Sequence, residues 1–315
     1  MTRYREICAD IAGRIIAGDL QPGDELPALR TLAELWDTTP STASRAQRHL
    51  AEASVITLFD RRRARIAPEA AIAARRFLRT EPVFRLAGSD DPALDVITRS
   101  LSGSIVRVAG AGSFAGLHAV RQGDADGAAI HLLHHTGAYN APFAQALLRG
   151  LHPHLVHLWR REQGLIVPPG NPANITTIQD LPALRVVKRH TGTGTRVLLD
   201  RLLITAGHNP DHIRGPEVDT HLDVGLAVAT GSVDVGLGVR PAASALDLDF
   251  VPLTWEDYDL VLGGASLDAA APLIAALRTP NVRAAITQLG GYDTANSGTP
   301  SQLADRITAR SWAGV

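Results

Sequence analysis

Between Gln21 and Ile66 the sequence leaves few folds open. A turn containing Pro22, Gly23 and Pro27 ends one helix and starts another. Leu29, Leu32, Ala33 and Trp36 then recur at helical spacing. Asp37-Thr38-Thr39-Pro40-Ser41 interrupts with capping and turn residues, and Pro40 suits the first turn of a second helix. That helix runs from Ser41 to Ala53, with Arg45 and Arg48 a turn apart. Two short helices joined by a tight polar turn make a helix-turn-helix, whose second helix enters a DNA major groove. Val55 to Phe59 reads as a strand, Asp60-Arg61-Arg62-Arg63 as a basic turn, and Ala64-Arg65-Ile66 as a returning strand, which together form a wing. Arg3 to Ala17, with Ile7, Ile11 and Ile15 on one face, supplies a first amphipathic helix. The alternative is a winged helix used only for protein contacts.

Tyr4, Ile7, Ile11, Ile15, Gly18, Pro22-Gly23-Asp24, Leu26-Pro27, Arg30, Leu32-Ala33, Thr42, Ala46, Arg48 and Leu50 follow one another without a gap. In this pattern residues 4–66 resemble the DNA-binding domain of GntR-type transcription regulators. The resemblance implies that Arg30, Thr39 and Thr42 face DNA. Arg45 and Arg48 on the second helix, and Arg61, Arg62 and Arg63 on the wing, add basic candidates for that face. Pro40 and Ser44 stand where the family usually has arginines, Ala28-Leu29 replaces its usual Ser-Glu, and Arg61 and Arg63 replace glycines of its wing.

A chain of 315 residues exceeds one average domain. The first 80 residues hold thirteen arginines against ten acidic residues, whereas the rest holds eighteen basic against twenty-two acidic. A basic first quarter beside an acidic remainder suits a DNA reader joined to a part that does not touch DNA. No apolar run is long enough to span a bilayer, since the best candidate, Ile105 to Val120, contains Arg107 and His118. Arg3, Arg5, Glu6 and Asp10 leave no apolar core for a signal peptide, and Cys8 is the single cysteine, so no intrachain disulfide is possible. The expectation is a cytoplasmic protein without membrane contact.

Alanine-rich Pro68 to Arg79, with Arg75, Arg76 and Arg79, reads as a linker helix, and the domain boundary falls near Thr80-Glu81-Pro82. Beyond it strands alternate with helices, arguing for an α/β domain with mainly parallel sheets. Strands are expected at Val83–Ala87, Ile105–Ala109, Ala128–Leu132, Gln163–Val167, Leu184–Val187, Val233–Leu237 and Asp249–Leu253. Helices are expected from Pro92 to Leu101, Phe114–Gln122, Arg196–Ala206, His221–Thr230, Asp268–Arg278 and Pro280–Gln288. Three strand-to-helix turns pair glycine with serine or threonine: Gly88-Ser89, Gly112-Ser113 and Thr193-Gly194-Thr195. Each aims backbone N–H groups and a hydroxyl at one point with the positive end of a helix dipole behind them. Together they suggest an anion-holding cleft; separately each is an ordinary cap.

Ser89-Asp90-Asp91-Pro92, Gly112-Ser113-Phe114-Ala115-Gly116-Leu117, Gly137-Ala138-Tyr139-Asn140, Arg161 through Pro172, Thr193 through Asp200 and Gly231 through Gly238 carry a second resemblance. Residues 83–300 are similar to the periplasmic-binding-protein-like domain fused to helix-turn-helix regulators and to molybdopterin-biosynthesis proteins. That resemblance implies two lobes, about 83–163 with 253–315 and about 164–252. The chain would cross at Gln163–Val167 and return near Asp249–Leu253. It implies molybdate, tungstate or a related oxyanion as ligand. Ser89, Ser113, Thr193 and Thr195 would supply hydroxyls, Gly112 and Gly194 open backbone, and Tyr139 and Asn140 the rim. Arg196 either pairs with the anion or buttresses its turn through Asp200, and His221 either faces the ligand or caps a helix. His190-Thr191 departs from the usual asparagine-rich turn.

Other chemistry fits less well. Gly110-Ala111-Gly112-Ser113-Phe114-Ala115 matches a dinucleotide fingerprint, but the next strand ends at His131 and not at an acidic residue. Thr193-Gly194-Thr195-Arg196 lacks the lysine of a phosphate loop, and Ala111 stands where a nucleophile elbow needs glycine. His131, His134 and His135, and then His152, His154 and His157, carry neither cysteine nor a His-Glu-x-x-His arrangement, so packing histidines are expected rather than zinc. The resulting expectation has two parts, an N-terminal winged helix-turn-helix (α+β) and a two-lobed α/β periplasmic-binding-protein-like domain of type II. Such a chain would be a homodimeric, ligand-responsive regulator on a palindromic operator, with no cofactor, metal or catalytic residue. An oxyanion-delivery protein, or an enzyme, is the alternative.

Overall fold

A computed structural model describes residues 3–79, 83–108 and 112–301. The chain forms two compact units, one drawn from Met1–Pro82 with Arg121–Asp124 and Arg149–His152, the other from the remainder. The boundary expected at Thr80-Glu81-Pro82, and the Gly110-Ala111 half of the fingerprint with Ala109 before it, lie outside the described residues.

In the first unit, α1 (Arg3–Ala17), α2 (Leu29–Leu35) and α3 (Pro40–Glu52) precede a hairpin of β1 (Ile56–Thr57) and β2 (Arg65–Ile66), followed by α4 (Ala70–Phe77). Ile7, Ile11 and Ile15 of α1 are buried against Leu32, Ala43, Ala46, Leu50 and Val55. Burying each such aliphatic side chain contributes about 1.5–3 kcal/mol before conformational entropy is subtracted. The turn between α2 and α3 ends at Thr39, whose Oγ1 accepts from the Thr42 amide at 3.2 Å, with Pro40 in the first turn beyond it. The hairpin pairs only Ile56 with Ile66 and Thr57 with Arg65, so its strands are shorter than the alternation predicts. At its tip Arg61 takes a left-handed φ of 55°, the conformation a wing glycine would adopt. Residues 70–77, expected within a linker helix, instead contribute Ala70, Ala73 and Ala74 to this unit's core.

The second unit runs β3 (Phe84–Gly88), α5 (Ala93–Ser100), β4 (Ile105–Arg107), α6 (Ser113–Gln122), β5 (Gly127–Ile130), α7 (Ala141–Leu147) and β6 (His154–Val167). Next come β7 (Val186–Arg189), α8 (Gly194–Thr205), β8 (Glu217–Val218), α9 (His221–Ala229), β9 (Val235–Val239), α10 (Arg240–Ser244) and β10 (Asp249–Leu262). α11 (Ala271–Leu277), α12 (Pro280–Gln288), β11 (Tyr292–Asp293) and β12 (Pro300–Ser301) close it. Among the described residues one sheet runs β4-β3-β5-β10-β6-β9-β7-β8, with β11 and β12 against β6. Its two flanks, β4-β3-β5 and β9-β7-β8, are parallel as expected, whereas β5-β10-β6-β9 is antiparallel, so the sheet is mixed.

That antiparallel centre makes two lobes from one sheet. The strands expected at 163–167 and 249–253 are the far ends of two 14-residue strands, β6 and β10, paired from Leu262↔His154 to Asp249↔Val167. The near half of β10 joins β5 in the first lobe, and the far half of β6 joins β9 in the second. Register shifts at Pro252/Thr254 and Tyr258/Asp259 bend the pair between the lobes. Each lobe has its own core: Leu94, Ile97, Trp159, Tyr258 and Leu273 in the first, and Leu165, Val186, Leu198 and Leu203 on one face of the second. Neighbours Ile166 and Val187 point to the other face, against Val224 and Val228 of α9. A sheet buried on both faces explains the unbroken aliphatic runs in these strands.

Candidate functional site

The crossing strands carry charge where a sheet interior ordinarily does not. Arg161 of β6 lies opposite Glu256 of β10, and its Nε donates to the Glu256 carboxylate at 2.7 Å. Arg161 Nη1 donates to Asp91 at 2.5 Å, and its guanidinium lies 4.4 Å from the centre of the Tyr258 ring. Both ends of each pair are completely buried. Gln163, two residues along the same face, donates from Nε2 to Glu256 at 2.7 Å and to Thr195 Oγ1 at 3.3 Å. Because a carboxylate only accepts, the amide nitrogen must face Glu256, which fixes the orientation of Gln163 and leaves its Oε1 without a partner.

His131, just past β5, continues this network with Nδ1 3.1 Å from Glu256 and Nε2 2.7 Å from Ser89 Oγ. Burial, aided by the Arg161 charge, lowers its pKa to about 4, so the ring is neutral near pH 7. Burial works against the charge on Glu256, but His131, Arg161 and Gln163 outweigh it and hold that carboxyl at about 2. A neutral ring beside a carboxylate keeps its proton on Nδ1, so Nε2 accepts and the Ser89 hydroxyl donates to it.

The turns expected to gather do gather across the lobes. Ser113 is the first residue of α6 and is fully buried, and its Oγ accepts from the His131 amide at 3.2 Å. Gly112 (φ +93°) lies so close to Thr193 that an added Cβ would come within 2.9 Å of its methyl carbon. At Gly194 a Cβ would lie 2.3 Å from the His131 carbonyl oxygen. Those two glycines therefore set how closely the lobes approach. Thr195 is buried in the first turn of α8, where it meets Gln163.

Three expected site residues, Thr193, Arg196 and Asn140, have other work. Thr193 Oγ1 donates to the His190 carbonyl at 2.8 Å and accepts from the Arg196 amide, so it is a helix cap. Arg196 binds Asp200 at 2.9 Å and Glu217 at 2.5 Å, which matches the buttressing alternative. Asn140 is completely buried and not on a rim. Its Oδ1 accepts from the Leu132 amide, and its Nδ2 donates to Asp259 and to the Asp257 carbonyl. Tyr139 is half-buried, and burial together with nearby Glu256 and Asp257 pushes its phenol up.

His221 is the first residue of α9, capped by Thr220, and neither ring nitrogen has a partner. Burial, then the charges on Arg189 and Arg161, push its pKa well down. Arg189 at the end of β7 was not singled out from the sequence, and neither were Arg161, Gln163, His131 and Glu256 as site residues. Arg189 donates from Nη2 to the Asp219 carbonyl and leaves Nε unpartnered. Arg161 Nη2 is unpartnered as well. A cavity of about 400 Å³ opens between the lobes, lined by Ser89, Asp90, Arg107, Gly112, Arg189 and Asp219 among others. Polar residues at alternate positions 161 and 163 of a strand were the available signal, visible only once both faces of that strand are known to be covered.

Of the expected DNA-facing residues, Arg30, Thr39, Arg48, Arg61, Arg62 and Arg63 are exposed, and Thr42 is half-buried. Thr39 and Thr42 hydroxyls lie 3.0 Å apart in the cap of α3. Arg45 is exposed with its guanidinium 4.2 Å from the centre of the Tyr4 ring, and Arg63 lies 3.9 Å from Glu25. Among histidines of the second cluster, His157 meets Asp259 at 2.8 Å on the crossing strands. Among the described residues no three His, Cys, Asp or Glu side chains gather as metal ligands, and no helix is long and apolar enough to cross a membrane.

This is a DNA-binding domain joined to a two-lobed binding domain, the composition of a ligand-sensing transcription regulator. Residues 3–66 match the gntR family of bacterial regulatory proteins, and residues 95–278, more than half of the chain, match the PBP superfamily domain. The chain belongs to the PBP superfamily and carries a GntR-family helix-turn-helix at its N-terminus. It is 32% identical over 216 residues to "Uncharacterized protein YvgK" of Bacillus subtilis (strain 168), covering 66% of this chain and 70% of that one. Similar solved structures include PEB3 with L-phospholactate bound (18% identical, 66% of this chain and 98% of that chain, TM-score 0.46). Another is an ABC-type phosphate transport receptor from Vibrio cholerae (17% identical, 66% and 98%, TM-score 0.45).

Proposed function

We propose that this protein binds operator DNA through its winged helix and adjusts that binding to a small anion held between the lobes of its second unit. One observation carries the anion. Two buried guanidiniums, Arg189 on the wall of the cleft and Arg161 on the crossing strands, keep N–H groups without partners. A buried donor left unpaired costs about 1–3 kcal/mol, so an acceptor-rich ligand relieves a cost already present in the fold. Ser113 and Thr195 hydroxyls at the starts of α6 and α8 add donors from each lobe. The sequence resemblance implies molybdate or tungstate, which enter the test beside sulfate, phosphate and small carboxylates.

The coupling is a population shift: a ligand touching both lobes favours their closed arrangement, and a homodimer transmits the change to two winged helices on a palindrome. The proposed DNA face comprises Arg30, Thr39, Thr42, Arg45, Arg48 and the wing arginines. Melting curves of the purified protein across the anion panel test the sensor, since a ligand at a hundredfold excess over Kd stabilises by about 2.7 kcal/mol. Should no anion shift the melting temperature while a neutral or cationic metabolite does, the regulator reading survives and the anion reading falls. Light scattering with and without operator DNA tests the dimer; a monomer in both would sink it.

One observation favours a second reading. Ser89, His131 and Glu256 have the connectivity of a catalytic triad. Two features weigh against turnover. Arg161 and Gln163 already occupy the Glu256 carboxylate, and His131 is pushed too low to take a proton near neutral pH. A fluorophosphonate probe decides: covalent labelling of Ser89 would establish an enzyme, and an unlabelled serine leaves a binding site.

A further inference from the structure

The anion reading leaves open which anions fit, and the direction of one proton narrows the answer. Ser89 borders the cavity between the lobes, and its hydroxyl proton is committed to His131 Nε2. Toward the ligand, Ser89 therefore presents lone pairs and no donor. The cavity wall adds two carboxylates, Asp90 and Asp219, against two guanidiniums, Arg107 and Arg189. Asp90 and Arg107 pair with each other at 3.0 Å. The wall is thus balanced in charge and mixed in hydrogen-bond polarity, with the unpartnered Arg189 Nε as a donor and Ser89 as an acceptor.

A fully deprotonated tetraoxyanion offers acceptors on every side. Turned to satisfy Arg189, it would set oxygen lone pairs against Ser89 Oγ and the carboxylates. We infer that the cleft takes a small anion that also carries an O–H or N–H donor, its anionic end on the guanidiniums and its donor on Ser89. Hydrogenphosphate and 2-hydroxy carboxylates share that chemistry; molybdate, tungstate and sulfate lack it. This rests on the anion reading above and goes further by dividing the anions into two groups. Sites that hydrogen-bond a ligand donor discriminate strongly against analogues without one, because the acceptor is then left unpaired.

Isothermal titration calorimetry on the full-length protein at pH 7 tests it with matched probes: phosphate against sulfate, lactate against propionate, and molybdate alone. The expected result is at least about tenfold tighter binding of the donor-bearing member in one series. The phosphate series identifies an inorganic ligand and the carboxylate series an organic one. Ser89→Ala, its fold checked by circular dichroism, is expected to shrink that ratio towards one by weakening the donor-bearing member alone. Binding without a preference of about tenfold in either series, or molybdate binding as tightly as the preferred probe, overturns the inference and leaves the anion reading standing. A ratio unchanged in Ser89→Ala overturns the assignment of the acceptor. If no probe binds, the anion reading itself falls and takes this inference with it. If Ser89→Ala does not fold, the ratio in the unmodified protein decides.

Discussion

At the scale of single residues, His221 is the side chain the fold treats worst. Its ring is buried at the start of α9 with both nitrogens unpaired, an arrangement that selection for stability alone would replace. His221→Leu is therefore expected to raise the ligand-free unfolding free energy by about 1–2 kcal/mol while abolishing the ligand-induced shift in melting temperature. A variant less stable than the parent, and still ligand-responsive, would show that the ring is there for packing. His221 and His131 also set a pH dependence. Both are held neutral when folded, so below about pH 6.5 the unfolded chain takes up protons that the folded chain refuses. Stability is fully present above that pH and falls as the pH drops towards 4. The depression of His131 alone is worth about 3 kcal/mol at the foot of that window. Urea denaturation at pH 7.5, 6 and 5 checks it; equal midpoints would mean that both rings are charged or exposed in the folded protein.

At the scale of elements, the glycines at the lobe contact give the sharpest test. Gly194→Ala suits the first turn of α8 locally, yet its methyl would lie 2.3 Å from the His131 carbonyl oxygen across the cleft. Ligand affinity is expected to fall at least about tenfold, roughly 1.4 kcal/mol, while the ligand-free melting temperature changes little. Calorimetry and a melting curve separate the two. On the DNA side, Arg30→Ala is expected to weaken operator binding by about 1–3 kcal/mol, measured by fluorescence anisotropy at fixed salt. Replacing Arg61, Arg62 and Arg63 together should flatten the salt dependence by up to about three phosphate contacts. Most helices of both units were legible from capping residues and apolar periodicity. The crossing strands were legible only in their far halves. In their near halves Arg161, Glu256 and Asp259 break the apolar run, and such charges read as surface until cross-strand pairing buries them. α7 and α10 escaped notice because each is short, with a proline as its second residue, and Asn140 before α7 is held at a positive φ by its buried amide bonds. Ser89, Ser113 and Thr195 announced themselves by sitting after glycine or at a helix start. The direction of their protons could not be read from the sequence, because it depends on which way His131 is protonated.

At the scale of the whole molecule, a ligand that changes operator affinity by some factor must have its own affinity changed by operator DNA by the same factor. Titrating ligand with and without bound operator, and operator with and without bound ligand, should return one number. The order of the strands has a further consequence, for synthesis on the ribosome. The hydrophobic core of the first unit ends at Phe77, so that core is in hand once α4 has emerged. The first lobe begins next but stays open, because β5 and the near half of β6 wait for residues 259–262 of β10. The second lobe, threaded between the two crossing strands, emerges before the first lobe can close. Chains released before Leu262 would carry a DNA-binding unit whose core is formed, together with a sheet of exposed strand edges. Such fragments would occupy operators without answering to the ligand, so prompt removal of incomplete chains becomes part of what keeps this regulator responsive.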